Sequence, residues 1–295
     1  MNISTSKRID SEERFEFGKN WSSFLKLLTP ERIATSRESV QKLLAVETLQ
    51  GQRFLDAGSG SGLFSLVANQ LGAEVTSFDY DKQSVACTEL LQKKYGVNPA
   101  TWKVLQGSLL DASFMEGLGQ YDVVYCWGVA HHTGNMWLAI EHLTKCVVPG
   151  GKIVIAIYND QKTTTTVWKL IKQIYQKLPN WARPIYVVII GTMHSTGEFI
   201  QRLFMGIAAS CWRLITLRNP LTPFIYWIKD SYRPQRGMDA WHDLVDWIGG
   251  WPFEVSKVDV MFKFFKQREL EMIELTQSDG HGCNEYVFRR SIGTH

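Results

Sequence analysis

Two periodicities alternate through the first half of the chain. Short apolar runs suited to strands are each followed by a stretch in which apolar residues recur every three to four positions, the spacing of one helix face. The runs are RFLDAG (53–58), AEVTSFD (73–79), TWKVLQGS (101–108), YDVVYCW (121–127) and KIVIAIY (152–158). Helical patterns occupy 61–71, 81–95 and 135–147, with Asp81 placed to cap the second of these. Another, RIATSRESVQKLLAVE (32–47), precedes the first run, and Pro149-Gly150-Gly151 reads as a turn ahead of the fifth. Strands alternating with helical segments at short connections call for a parallel sheet covered on both faces, an α/β fold.

The alternation stops between 161 and 250 and resumes after DWIGGWPFE (246–254), where Gly249-Gly250 and Pro252 read as a tight return turn. EVSKVDVMFKFFKQREL (254–270) reads as a helix with Val258, Met261, Phe262 and Phe265 on one face. EMIELTQSD (271–279) and CNEYVFRR (283–290) read as strands joined across Gly280-His281-Gly282, an antiparallel hairpin. The expected architecture is a doubly wound, mostly parallel seven-stranded sheet with a C-terminal antiparallel hairpin and a helical cap insertion. Residues 1–48 are expected to form an N-terminal helical lid, 49–160 with 251–295 the core, and 161–250 the cap.

A chain of 295 residues with 45% apolar and 21% charged positions suits a folded protein with a sizeable core. Cys87, Cys126, Cys146, Cys211 and Cys283 are widely spaced with no C-x-x-C pair, which suggests neither a disulfide framework nor a zinc knuckle. The charged N-terminal stretch lacks the apolar region of a secretory signal, so a cytoplasmic location is expected. The net charge of +3 conceals an asymmetry: between 161 and 236, eleven Lys or Arg face only Glu198 and Asp230, a local +9 that leaves −6 for the rest. Within that segment PIYVVIIGTM (184–193) and LFMGIAASCW (203–212) are apolar runs of ten residues separated by Glu198 and Arg202. A spanning helix needs roughly 20 residues, so neither run is expected to cross a bilayer. The segment reads either as a helical insertion packed on the core or as a cap touching a lipid, a lipid-linked substrate or a partner subunit.

In LDAGSGSGLF (55–64) the glycines at 58, 60 and 62 permit a sharp turn and close approach of backbone to a ligand. A dinucleotide fingerprint would place its third glycine at 63, where Leu63 stands, and the Lys and Ser/Thr of a triphosphate loop are missing. The loop therefore suits a nucleoside ligand without phosphate. Asp79 ends the second strand run, where a carboxylate can accept hydrogen bonds from both ribose hydroxyls. Loop and acid together frame an adenosine.

FLDAGSGSG, VTSFD, YDVVYCWGVAHH and VVPGGKIVIAIY together resemble the class I S-adenosylmethionine-dependent methyltransferases, over residues 50 to 160 plus the terminal hairpin. The resemblance implies a Rossmann-like fold, S-adenosyl-L-methionine as cofactor and S-adenosyl-L-homocysteine as product. It implies that Asp56, Gly58, Gly60 and Gly62 line the methionine part, Asp79 the ribose and Tyr80 the adenine face, with Ser59, Leu109 and Trp127 completing the cofactor set. Many members carry an acid where Ser108 stands here, and Asp111 comes three residues later. CWGVAHHTGNMW and IYND resemble a bacterial branch related to quinone-pathway O-methyltransferases and to tailoring enzymes of natural products and surface sugars. That points to O-methylation of a small-molecule or lipid-linked acceptor, with peripheral membrane contact through 161–236 and a homodimer as further expectations. An RNA or other nucleic-acid methyltransferase would use the basic segment as its footprint, but no recognised RNA-binding module is present. A scaffold that binds the cofactor without turnover is the third reading.

Methyl transfer to a hydroxyl is an in-line displacement that needs a proton acceptor. His131 and His132 follow the fourth strand at the carboxyl edge of the sheet and are the candidate bases. Alternatively, one bonds the loop and the other packs on the cofactor. Adjacent histidines do not project side by side, so no metal is expected. Tyr158, Asn159 and Asp160 end the fifth run on that edge and could orient an acceptor or form a plain turn. Phe15, Phe17 and Trp21 suit a lid or an amphipathic helix face. Asp243, Asp246 and Trp247 border either the acceptor pocket or only the return to the core.

Overall fold

The structure, a computed structural model, describes residues 15–231, 236–237, 239–278 and 282–293. Among these residues one seven-stranded sheet is built from β1 (Arg53–Ala57), β2 (Glu74–Asp79), β3 (Trp102–Gln106), β4 (Tyr121–Trp127), β5 (Val147–Tyr158), β6 (Leu270–Thr276) and β7 (Cys283–Arg290). The order is β3-β2-β1-β4-β5-β7-β6, with the first five strands parallel and β7 antiparallel between β5 and β6. Strand β1 pairs β2 on one side and β4 on the other. Connections leave β1 and β4 toward opposite sides, and a crevice opens beyond their carboxyl ends.

The helices are α1 (Phe17–Phe24), α2 (Pro30–Leu44), α3 (Leu63–Gln70), α4 (Lys82–Tyr95), α5 (Ala112–Leu118), α6 (Met136–Lys145), α7 (Thr163–Lys177), α8 (Arg183–Ile215), α9 (Thr222–Ser231), α10 (Ala240–Gly249) and α11 (Val258–Lys266). Local sequence sets several starts: Asp81 accepts the Gln83 N–H at 2.7 Å, Asp111 that of Phe114 at 3.1 Å, and Asp239 those of Trp241 and His242. Successive strand residues feed two cores. Leu55, Val124, Ile153 and Ile155 join α5, α6 and α11 on one face. Phe54, Val123, Tyr125 and Val154 join α1 to α4 on the other, which is why these strands read as almost unbroken apolar runs.

The turn expected at Pro149-Gly150-Gly151 lies inside β5. Val147 pairs Tyr121, the register shifts, and pairing resumes with Lys152 opposite Val123 while Gly150 takes φ +80°. The helix expected over 254–270 is confined to α11, because the chain turns at 267–269 to enter β6. Met261 and Phe265 are buried, with Phe265 stacked on Phe288 at 3.9 Å, whereas Phe262 lies a step round the helix and faces out. The apolar runs at 184–193 and 203–212 are joined in one helix of 33 residues, since the stretch between them supplies no proline to stop it. Strands β6 and β7 do pair as an antiparallel hairpin, while Gly280 and His281 of the expected turn lie outside the described residues.

Candidate active site

The loop after β1 is tied to β2: the backbone N–H groups of Gly58 and Ser59 both donate to the Phe78 carbonyl, at 2.8 and 3.0 Å. Gly58, Gly60 and Gly62 have φ of +83°, +55° and +81°. A Cβ on Gly58 would lie 2.4 Å from Val129, one on Gly60 2.9 Å from the Trp21 indole nitrogen, and one on Gly62 2.8 Å from the Thr88 backbone. The alternating glycines serve the left-handed backbone of the expected sharp turn and also close packing within the protein. Gly62 starts α3 and is not part of the cavity wall.

A cavity of about 870 Å³ fills the crevice. One end is walled by Asp56, Gly58, Ser59, Gly60, Asp79, Tyr80, Ser108 and Leu109. The other is walled by His131, His132, Tyr158, Asp243, Asp246 and Trp247, with Trp127 and Arg236 also in the wall and Phe15, Phe17 and Trp21 contributed by the N-terminal segment. Asn159 is absent from the wall; it bridges to Ser256, and its N–H donates to the Gly282 carbonyl. Asp160 is likewise a turn residue, accepting from Lys162 N–H and the Thr165 hydroxyl, and exposed Asp111 is spent on capping α5. Of the three residues expected to orient an acceptor, only Tyr158 reaches the cavity.

Asp79 accepts the Gly60 N–H on Oδ2 and the Asp81 N–H on Oδ1, both at 2.9 Å. Burial pushes its carboxyl up to about 6 against these bonds. Asp56 is held by a buried chain in which Trp102 Nε1–H donates to Ser77, Ser77 to Ser65, and Ser65 to Asp56 Oδ2 at 2.5 Å. Burial raises it further, to about 7.

Arg236, which follows the cap helices, reaches this end of the cavity. Its guanidinium lies 3.5 Å from the Trp127 ring centroid and 4.8 Å from that of Phe64, and Nη2 donates to the Tyr125 hydroxyl at 2.8 Å. Glu285 stands 3.9 Å from Nη1. Arg236 Nε and Nη1, Trp127 Nε1 and His131 Nδ1 are buried without hydrogen-bond partners; they are four of the seven such side-chain atoms among the described residues, and all belong to residues that line the cavity. No local sequence signal pointed to Arg236, since its partners sit on β4, α3 and β7.

His132 Nδ1–H donates to the Pro252 carbonyl at 2.6 Å, which leaves Nε2 with the lone pair. Burial lowers its pKa to about 3, and it holds that of buried His131 well below the usual imidazole range. The His131 ring packs 4.3 Å from His132 and 4.2 Å from Tyr158. Beneath them Lys172 is fully buried, donates to the Trp247 carbonyl and lies 5.3 Å from the Tyr158 ring; burial brings it down to about 7. Asp246 accepts from Asn20 at 2.9 Å, and burial raises its carboxyl as it raises that of Asp243, the latter to about 6. Among the described residues no group of three or more His, Cys, Asp or Glu is gathered to hold a metal ion.

The sheet order, the loop after β1 and the acid ending β2 define a methyltransferase domain, and the chain belongs to that family: the Methyltransferase domain model matches residues 29–186, more than half of the 295. Within the family it is similar to the ubiquinone biosynthesis O-methyltransferase of Bordetella avium (strain 197N), 29% identical over 122 residues, 41% of this chain and 48% of that protein. The Pseudomonas fluorescens (strain Pf0-1) protein of the same name is 31% identical over 111 residues, 38% of this chain and 46% of its own. The chain thus spans about half the length of these curated relatives. An O-methyltransferase family protein from Burkholderia thailandensis shares the fold at a TM-score of 0.51 and 13% identity, covering 89% of this chain and 58% of that one.

Proposed function

We propose that the protein is an S-adenosyl-L-methionine-dependent methyltransferase that methylates an oxygen of a small or lipid-linked metabolite and releases S-adenosyl-L-homocysteine. One observation carries this reading: a single chamber joins the adenosine-type end at Asp79 to the buried histidines beyond β4. Its volume of about 870 Å³ lies high in the range of roughly 300–1,000 Å³ for ligand pockets and leaves room for an acceptor beside the cofactor.

The residues fit the cofactor. Each Asp79 oxygen already accepts one backbone N–H, and an ionised carboxylate offers about four acceptor positions, so both ribose hydroxyls can still be bound. Tyr80, Ser108 and Leu109, which line the same cavity, are the residues assigned here to the adenine. Arg236, in the wall beside Trp127, is the cation assigned here to the methionine carboxylate. When bound, the cofactor supplies an electrophilic methyl group on a sulfonium. His132 Nε2 takes the acceptor proton, Tyr158 and Trp247 shape the acceptor end, and α1 covers the chamber as a lid. The ubiquinone-pathway name of the relatives supports a phenolic hydroxyl as the acceptor class. The nucleic-acid reading loses support because Lys172 and Arg236 of the basic segment turn inward.

The test is incubation with methyl-labelled cofactor and a panel of phenols, quinols and cell lipid extract. Label in an ether-linked methyl is expected; label only in RNA, or none, would overturn the reading. The Arg236 assignment has its own check. Arg236→Met is expected to bind S-adenosyl-L-homocysteine about tenfold more weakly, one lost charge-assisted contact, yet bind its decarboxylated analogue as the parent does. Calorimetry showing equal losses for both ligands would refute the carboxylate contact.

A further inference from the structure

The cap carries a surface that methyl transfer does not use. Of 29 exposed large apolar side chains among the described residues, 16 lie between Ile185 and Tyr226, on α8, α9 and the turn joining them. The start of α8 is held to the body, with Val187 and Ile190 packed near Trp168, Tyr175 and Ile248. Beyond His194 the helix runs 21 more residues, about 30 Å at 1.5 Å each. No residue of that stretch joins a core cluster among the described residues. It is nevertheless built. Gly206 brings α8 against Phe224, the Ser210 hydroxyl donates to the Pro220 carbonyl at 2.6 Å, and Arg213 Nε donates to that of Asn219 at 2.8 Å.

We propose that the α8–α9 hairpin is a docking arm that seats its tip in the interfacial layer of an anionic lipid bilayer. Two observations select lipid over a second copy of the chain. Exposed apolar side chains do not form one flat face: Trp212 and Leu214, 66% and 59% exposed, project about 160° apart at 3.6 residues per turn. A fluid apolar medium wets both sides, which one rigid partner face cannot. Charge gives the same answer. From Phe199 to Lys229 there is no acidic residue, while Arg202, Arg213, Arg218 and Lys229 supply four positive charges. Paired copies of the arm would oppose like charges, whereas anionic headgroups complement them. Arg213 and Arg218 flank the turn beside Ile215 and Leu217, which are 75% and 97% exposed, so cations and apolar anchors sit together at the tip. No helix among the described residues is long and apolar enough to cross a membrane, consistent with an arm that lies in one interface.

The experiment is flotation of the purified full chain with vesicles of phosphatidylcholine alone or mixed with phosphatidylglycerol, at low and high salt. The parent is expected to float with the mixed vesicles at low salt and to be released by high salt. Arg213→Gln with Arg218→Gln should lower partitioning about thirtyfold, the product of two roughly fivefold losses at about 1 kcal/mol per basic residue. Trp212→Ser with Ile215→Ser should lower it as strongly, and both pairs should keep the parent's circular dichroism and melting temperature. Failure to float with either vesicle, equal flotation with both, or variants that float like the parent would overturn the proposal. So would sedimentation equilibrium showing a parent dimer that Trp212→Ser with Ile215→Ser dissolves, because a second copy would then be the occupant. These readouts need no methyl transfer, so the arm stands or falls apart from the proposed activity.

Discussion

The His132→Asn protein is expected to turn over its acceptor about a hundredfold more slowly than the parent, the lower end for loss of a general base, while binding S-adenosyl-L-homocysteine equally well. Asparagine can keep a donor toward the Pro252 carbonyl, but its amide oxygen is too weakly basic to replace Nε2 as proton acceptor. Because burial brings His132 to about 3, the imidazole is already neutral at pH 4 and above, and its titration adds no acid limb to the rate between pH 5 and 8. His131 behaves differently. Its ring is 1% exposed between His132 and Tyr158, so replacing it shows first as a lower melting temperature. An unchanged rate in the folded His132 variant would remove it as the base.

Asp79→Asn should weaken S-adenosyl-L-homocysteine binding by about 1.5–3 kcal/mol, the worth of hydrogen bonds to a charged group. The pH profile separates this from a disturbed loop. In the parent, hydroxyl donors favour the ionised carboxylate, so what this contact adds to affinity is present above about 6 and falls as pH drops through that value. The variant should lose that inflection. The empty protein responds in the opposite sense. Between the ordinary 3.8 and about 6 the folded state keeps a proton the unfolded chain has released, so this group favours folding less as pH rises through the window. Calorimetric titrations from pH 5 to 8 that superimpose for parent and variant would reject the ribose contact.

Strands β4 and β7 were legible to the residue because YDVVYCW and CNEYVFRR are bounded by turn residues and packed on both faces. The start of β5 was hidden because Pro149-Gly150-Gly151 has turn chemistry, yet the neighbouring ladder holds it as a bulge. Asp79 and the histidines were legible as strand-end residues, whose place follows from topology. Asn159 sat at a strand end too, but its backbone is taken up by Ser256 and Gly282. Arg236 left no local trace, because what makes it part of the site is the Tyr125 hydroxyl and the Trp127 ring far back in the chain. The glycines were legible as a sharp turn; their packing was not, because Val129, Trp21 and Thr88, which occupy the space their side chains would need, lie elsewhere in the chain.

Helix α1 is fastened at both extremities of the chamber. Gly18 N–H donates to Asp81 at 3.0 Å on the nucleoside side, and Asn20 donates to Asp246 at 2.9 Å on the other. Two turns of chain are therefore tied to both parts of the wall, and on the function proposed above any movement of this helix that admits the acceptor would also uncover the methyl donor.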